Sequence, residues 1–161
     1  MSKFERVREA MSSPPTSDYV RERADEGWRL VAVEWARRID PWGIQFISNL
    51  ALQISNDSLF PLEQFAVGGR YSVRGYRENQ LVRDNAFLFS IESRIPVLPS
   101  LTGSNFSVQL APFIDVGRSW NAKFSTPDPE TLASIGVGLR LDFFNRAFAN
   151  VYWGQQLNHV S

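Results

Sequence analysis

Residues able to do acid–base, nucleophilic or metal chemistry are scarce in this chain. It has no cysteine and one histidine, His159, near its C-terminal end. A lone imidazole with scattered acids makes neither a metal centre nor a catalytic base with a visible partner. No catalytic residue, metal or cofactor is therefore expected, and the chain is not read as an enzyme. What remains is electrostatic. Arg74 lies in "GGRYSVRGYRENQ", residues 68–80, between a β-branched residue and a glycine. Glu92, Asp115 and Asp142 fall on stretches where polar and apolar residues alternate. An arginine exposed on a loop needs no partner. One taken into an interior needs a carboxylate, because its charge is fixed. The residues alone leave both readings open. Asp115, flanked by apolar residues and followed by Gly117, leaves room for a guanidinium. Gly68, Gly69 and Gly75 permit backbone angles that other residues resist.

The elements that must position these groups come in two textures. Residues 1–40 are dense in charge. "TSDYVRERADEGWRLVAVEWARR" predicts a short helix from about Ser17, its N-cap, to Gly27, its C-terminal stop, followed by a strand. The charges between, Asp18, Arg21, Glu22, Arg23, Asp25 and Glu26, read as a solvated helix face. After Asp40-Pro41 the period becomes two. Ile44, Phe46, Leu50, Leu52 and Ile54 share one face, with Gln45, Asn49, Gln53 and Ser55 mainly on the other. Phe87, Phe89, Ile91 and Ile95 oppose Ser90, Glu92 and Arg94. Phe106, Val108, Leu110, Ile114 and Val116 oppose Ser107, Gln109, Ala111, Phe113 and Asp115. Ile135, Val137, Leu139, Leu141 and Phe143 oppose Ser134, Gly136, Gly138, Arg140 and Asp142. "AFANVYWGQ" is a weaker fifth strand with aromatics on both faces.

These strands run to about ten residues, against a usual 5 to 6 in soluble sheets. Strands of that length with one apolar and one polar face suit an outer-membrane barrel. The fold expected is mainly β: an antiparallel meander of about five long strands forming a partial transmembrane barrel, with the short helix–strand segment in front. The rival is a soluble β-rich binding domain. No apolar run reaches the roughly 20 residues of a membrane-spanning helix. No signal peptide is visible at the N-terminus. Neither absence excludes a membrane β-barrel, whose strands alternate and escape hydropathy. Basic and acidic residues balance at 17 each, so no global field invites nucleic acid.

The long segment between the first two long strands carries Phe60, Leu62, Phe65, Val67, Tyr71, Val73 and Tyr76, enough apolar content to pack on something. "LFPLEQFAVGGRYSVRGYRE", "FLFSIESRIPVL", "LAPFIDVGRSW" and "LASIGVGLRL", in that order, resemble the C-terminal half of the haemolysin secretion/activation transporters of two-partner secretion. That family shares a superfamily with the outer-membrane barrel-assembly proteins. The likeness covers roughly residues 42–155. Val-Arg-Gly-Tyr and Phe-x-Asp-x-Gly are two of the superfamily's diagnostic motifs, and Leu-Ala-Ser-x-Gly-x-Gly-Leu adds to the resemblance.

The resemblance implies a bacterial outer-membrane barrel that translocates a secreted exoprotein client. It also implies contact with the lipid bilayer and the outer-membrane assembly machinery. The loop bearing Val73, Arg74, Gly75 and Tyr76 is then expected inside the lumen. Arg74 would meet Asp115, which Phe113 and Gly117 frame, while Glu92 and Arg140 line the wall. Residues 41–161 are accordingly read as the C-terminal portion of such a barrel with its final strand missing, and residues 1–40 as a segment of unknown origin. Such a piece is expected not to translocate by itself. Barrel assembly within the same superfamily is the alternative role, and "PLEQFAVGG" and "LASIGVGLRL" look more like the secretion branch.

Overall fold

The computed structural model describes residues 19–25, 28–39, 42–98, 106–143 and 147–158, the first of these by backbone alone. Among them no helix is long and apolar enough to cross a membrane, which says nothing of a β-barrel. Among the described residues nine strands form, β1 Tyr19–Asp25, β2 Trp28–Ile39, β3 Ile44–Ser55, β4 Phe65–Val67, β5 Leu81–Arg83, β6 Asn85–Leu98, β7 Phe106–Trp120, β8 Thr131–Phe143 and β9 Ala147–Gln156. Seven of them make one antiparallel sheet in the order β1-β2-β3-β6-β7-β8-β9, with β4 and β5 a separate pair. The sheet does not close on itself; β1 and β9 are its edges.

The five expected long strands are β3, β6, β7, β8 and β9. The expected helix is not there. Tyr19–Asp25 pairs with β2 from Tyr19↔Glu34 to Asp25↔Trp28. The local charge spacing fits a helix, but the neighbouring strand β2 offers all seven residues a backbone ladder, and strand pairing overrides propensity. Charged residues also suit an edge strand. β2 in turn pairs with β3 over its whole length, from Trp28↔Ser55 to Ile39↔Ile44.

Register fixes the faces. Ser90 pairs with Asp115, Asp115 with Ser134 and Ser134 with Gln156, so one row of polar residues crosses four strands. The neighbouring rows, Leu88, Gly117, Leu132 and Glu92, Phe113, Gly136, Gly154, lie on the same face. One register shift occurs near Pro96, which has no N–H to give the ladder.

Burial runs opposite to the usual soluble pattern. Asp115 and Ser134 are fully buried, whereas Ile114 is 45%, Ile135 47% and Trp153 63% exposed. The polar face is the covered one. What covers it is the chain between β3 and β6. Val67, Val73, Tyr76 and Leu81 from that segment pack with Ala51, Ala86, Leu88 and Leu132 from the sheet. The other face carries Leu50, Leu52, Phe87, Leu110, Val137, Leu139 and Val151 into the open. A soluble sheet would hide such a band; a hydrocarbon surround leaves it where it is.

Candidate functional site

The covering segment is tied down at its base before it reaches the site. The base is the run Arg83, Asp84, Asn85. Asp84 is 2% exposed. Its Oδ1 accepts from the Leu59 N–H at 2.9 Å and Gln64 Nε2 at 3.1 Å, and its Oδ2 from the Ala122 N–H at 3.0 Å. Burial alone would push this carboxyl up, but those donors outweigh it and hold the pKa below the ordinary carboxylate value. Gln53 Nε2 donates to the carbonyls of Asp84, at 2.8 Å, and Glu63, at 3.1 Å. The Ser55 N–H donates to Asn85 Oδ1 at 2.6 Å. Arg83 donates to the carbonyls of Ser119, Pro127 and Pro129 at 2.7, 2.5 and 3.1 Å. Two flanking loops thereby converge on three consecutive residues.

From this base β4 and β5 pair as a short ladder, Phe65↔Arg83 to Val67↔Leu81. Beyond it the chain doubles back over the sheet. Gly68, Gly69 and Gly75 all have φ between +94° and +111°, which an L side chain rarely adopts. The tightening is local: the Gly68 N–H donates to Ser72 Oγ at 2.8 Å and the Gly69 N–H to the Val73 carbonyl at 3.1 Å. Val73 is fully buried. A Cβ on Gly117 would meet Val67 and Val73. The space beside Asp115 is therefore filled by these two valines, and not by the guanidinium that the sequence suggested.

The guanidinium of Arg74 instead lies along the wall. Its Nε donates to Asp115 Oδ2 at 2.8 Å and its Nη2 to Asp115 Oδ1 at 2.8 Å, a bidentate fork. The Arg74 backbone N–H adds a bond to Asp115 Oδ2 at 3.0 Å. Nη1 donates to Glu92 Oε2 at 2.5 Å, and Nη2 also approaches Ser90 Oγ at 3.3 Å. Ser90 Oγ donates in turn to Asp115 Oδ1 at 2.6 Å. The Arg74 side chain is 11% exposed, Glu92 10% and Asp115 0%. Burial works against the Arg74 charge, and the two carboxylates beside it compensate.

Two aromatic rings complete the socket. The Arg74 Cζ stands 3.5 Å from the Phe113 ring centroid and 5.1 Å from that of Tyr152. The rings meet edge to face, with centroids 6.0 Å apart. Both lie over glycines: a Cβ on Gly136 would collide with Phe113, and one on Gly138 with Tyr152. That is the physical meaning of Gly136-Val137-Gly138 here. The bare backbone leaves room for both rings beside the cation.

Beside the loop tip, Gly75 lies against the Gly154 carbonyl, and its own carbonyl accepts from Gln156 Nε2 at 2.7 Å. Tyr76 Oη lies 2.9 and 2.8 Å from the carbonyls of Ala133 and Asn158, to one of which its single proton is donated, and accepts from the Asn158 N–H at 3.2 Å. The loop tip thus reaches the end of β9.

Of the residues singled out in the sequence, Arg74, Asp115, Phe113 and Glu92 come together. Glu92 touches Arg74 directly, which its expected wall-lining role understates. It also accepts from Arg94 Nε at 2.9 Å, and Arg140 stands 4.0 Å away and donates to Tyr152 Oη at 3.2 Å. Asp142 is remote, paired in register with Ser107 far along the sheet from Ser134. Sequence reasoning missed Ser90, Tyr152 and the Asp84 base. Ser90 was findable, because it shares the polar face with Glu92 and Asp115. His159 lies outside the described residues. Among those residues no cluster of acids or histidines is placed to hold a metal. The arrangement holds the planar cation of Arg74, and with it the loop.

The sequence matches the family described as haemolysin secretion/activation protein ShlB/FhaC/HecB over residues 11–141. No curated protein matches the chain.

Proposed function

Because the chain belongs to the haemolysin secretion/activation family, we propose that it forms part of an outer-membrane wall past which a secreted exoprotein moves. In this reading the polar face of the sheet lines the lumen. The loop from Phe65 to Arg83 sits inside it, pinned by Arg74 to Asp115 and Glu92. The family is one of outer-membrane two-partner secretion transporters. The loop's role and the client are the proposal.

One observation carries it. A buried, doubly paired arginine covers the polar face of a sheet whose opposite face is apolar and open. A soluble binding domain would expose the polar face and bury the other. The exposed band crosses strands of 10 to 15 residues, and about 9–11 residues suffice for a tilted strand to cross a bilayer.

The test is secretion of the cognate exoprotein from cells carrying the full-length transporter with Arg74→Ala or Asp115→Ala. Outer-membrane levels would be matched by immunoblot. Secretion should fall by about tenfold or more, since breaking a buried pair costs about 3–5 kcal/mol. Unchanged secretion by both variants would remove the loop from the mechanism.

A further inference from the structure

The contacts around Arg74 form a complete receptor for a guanidinium group, whichever chain supplies it. Both Asp115 oxygens, one Glu92 oxygen and Ser90 Oγ face it from the wall, and Phe113 and Tyr152 present their rings. All six groups belong to strands of the sheet, not to the loop. Arg74 contributes only the ligand. The socket therefore survives if the loop leaves.

Departure of the loop is unequal for the two carboxylates. Glu92 keeps Arg94, and Arg140 stands within reach. Asp115, fully buried while the loop is in place, then keeps only the Ser90 hydroxyl as a side-chain donor among the described residues. A carboxylate that loses its bidentate cation is left underpaired, which is costly. The cost falls if another cation of the same shape enters as Arg74 goes. An ammonium cannot replace the fork: it is a point charge and cannot bond both Asp115 oxygens along parallel N–H bonds as a planar guanidinium does.

We propose that this socket is an exchangeable binding site for arginine side chains of an extended polypeptide, so that a client arginine displaces Arg74. The client's part in this rests on the reading of the chain as a translocation wall; the receptor itself rests on the geometry alone. Arginine-bearing segments would pause at the wall, and lysine-bearing ones would not.

The probes are ethylguanidinium and ethylammonium, added to the full chain carrying Arg74→Ala in detergent. Ethylguanidinium should raise the Tm saturably, by about 3–6 °C at ten times its Kd. Ethylammonium should not, and Arg74→Ala with Asp115→Asn should respond to neither. The peptides acetyl-Gly-Arg-Gly-amide and acetyl-Gly-Lys-Gly-amide should divide in the same way. No saturable rise, an equal rise with ethylammonium, or a rise that survives Asp115→Asn overturns the proposal. If Arg74→Ala does not fold, Val73→Cys in the chain that keeps Arg74 decides. The arginine peptide must then speed thiol labelling at position 73 more than the lysine peptide does; equal rates overturn it. These readouts are independent of secretion, so failure here leaves the translocation reading standing.

Discussion

Replacing Asp115 by asparagine keeps the shape of the Arg74 socket and removes half of its negative charge. Asp115 receives three bonds from Arg74, at 2.8, 2.8 and 3.0 Å, and one from Ser90 at 2.6 Å, at zero exposure. Asparagine can accept at one oxygen only, so its NH₂ faces a guanidinium donor. The change should destabilise the docked loop by about 3–5 kcal/mol, the usual loss when a buried pair is broken from one side. Glu92→Gln should cost less, about 1–3 kcal/mol, because Glu92 spreads its bonds over Arg74 and Arg94 and the fork on Asp115 stays intact. The assay is urea unfolding in detergent of Asp115→Asn, Arg74→Ala and the double variant. Since each single change strands the other partner, the double should lose far less than the sum of the singles. Additive losses would refute direct coupling between Arg74 and Asp115.

Three further outcomes follow from the same contacts. Gly136→Ala, whose methyl would meet the Trp153 carbonyl and Phe113, and Gly138→Ala, whose methyl would meet Tyr152, should each destabilise by about 1–3 kcal/mol; Tm measurements check this, and a neutral Gly138→Ala would show that Tyr152 can move aside. Asp84 titrates below its unfolded value, so its stabilisation is present above the unfolded pKa of about 3.9 and is lost as pH falls through the folded one. Asp84→Asn should therefore narrow the stability gap between neutral and acid pH, and an unchanged gap would count against the network. Tyr76→Phe removes the hydroxyl shared by Ala133 and Asn158 and should cost about 1 kcal/mol, seen as faster amide exchange at Leu157 and Asn158.

The two faces of the sheet were legible in the sequence, because side chains alternate strictly and each strand is long enough to repeat the pattern. Ile135 through Phe143 reads outward at every second residue, and the structure leaves Ile135, Val137, Leu139 and Phe143 exposed. Which carboxylate faces Arg74 was not legible from the residues. Asp115 and Asp142 are both on the polar face, and only register separates them: Asp142 lies eight residues beyond Ser134 along β8, about 27 Å at strand rise. The pairing came from resemblance to the family's motifs. The Asp84 base left no trace because two of its donors are backbone N–H groups, which every residue type provides. The helix expected near Arg21 failed for a related reason. Its charge spacing suits a helix face, and the backbone ladder to the next strand, β2, which overrides it, is open to any residue type.

The central claim is that the loop lies packed on the polar face within the membrane. A single cysteine at position 73, in a chain with no cysteine of its own, tests it most directly. Val73 is fully buried and Tyr71 is 44% exposed. In intact outer membranes a water-soluble maleimide should label Val73→Cys far more slowly than Tyr71→Cys, and adding Arg74→Ala should bring the two rates together. Equal labelling with Arg74 in place would contradict the account.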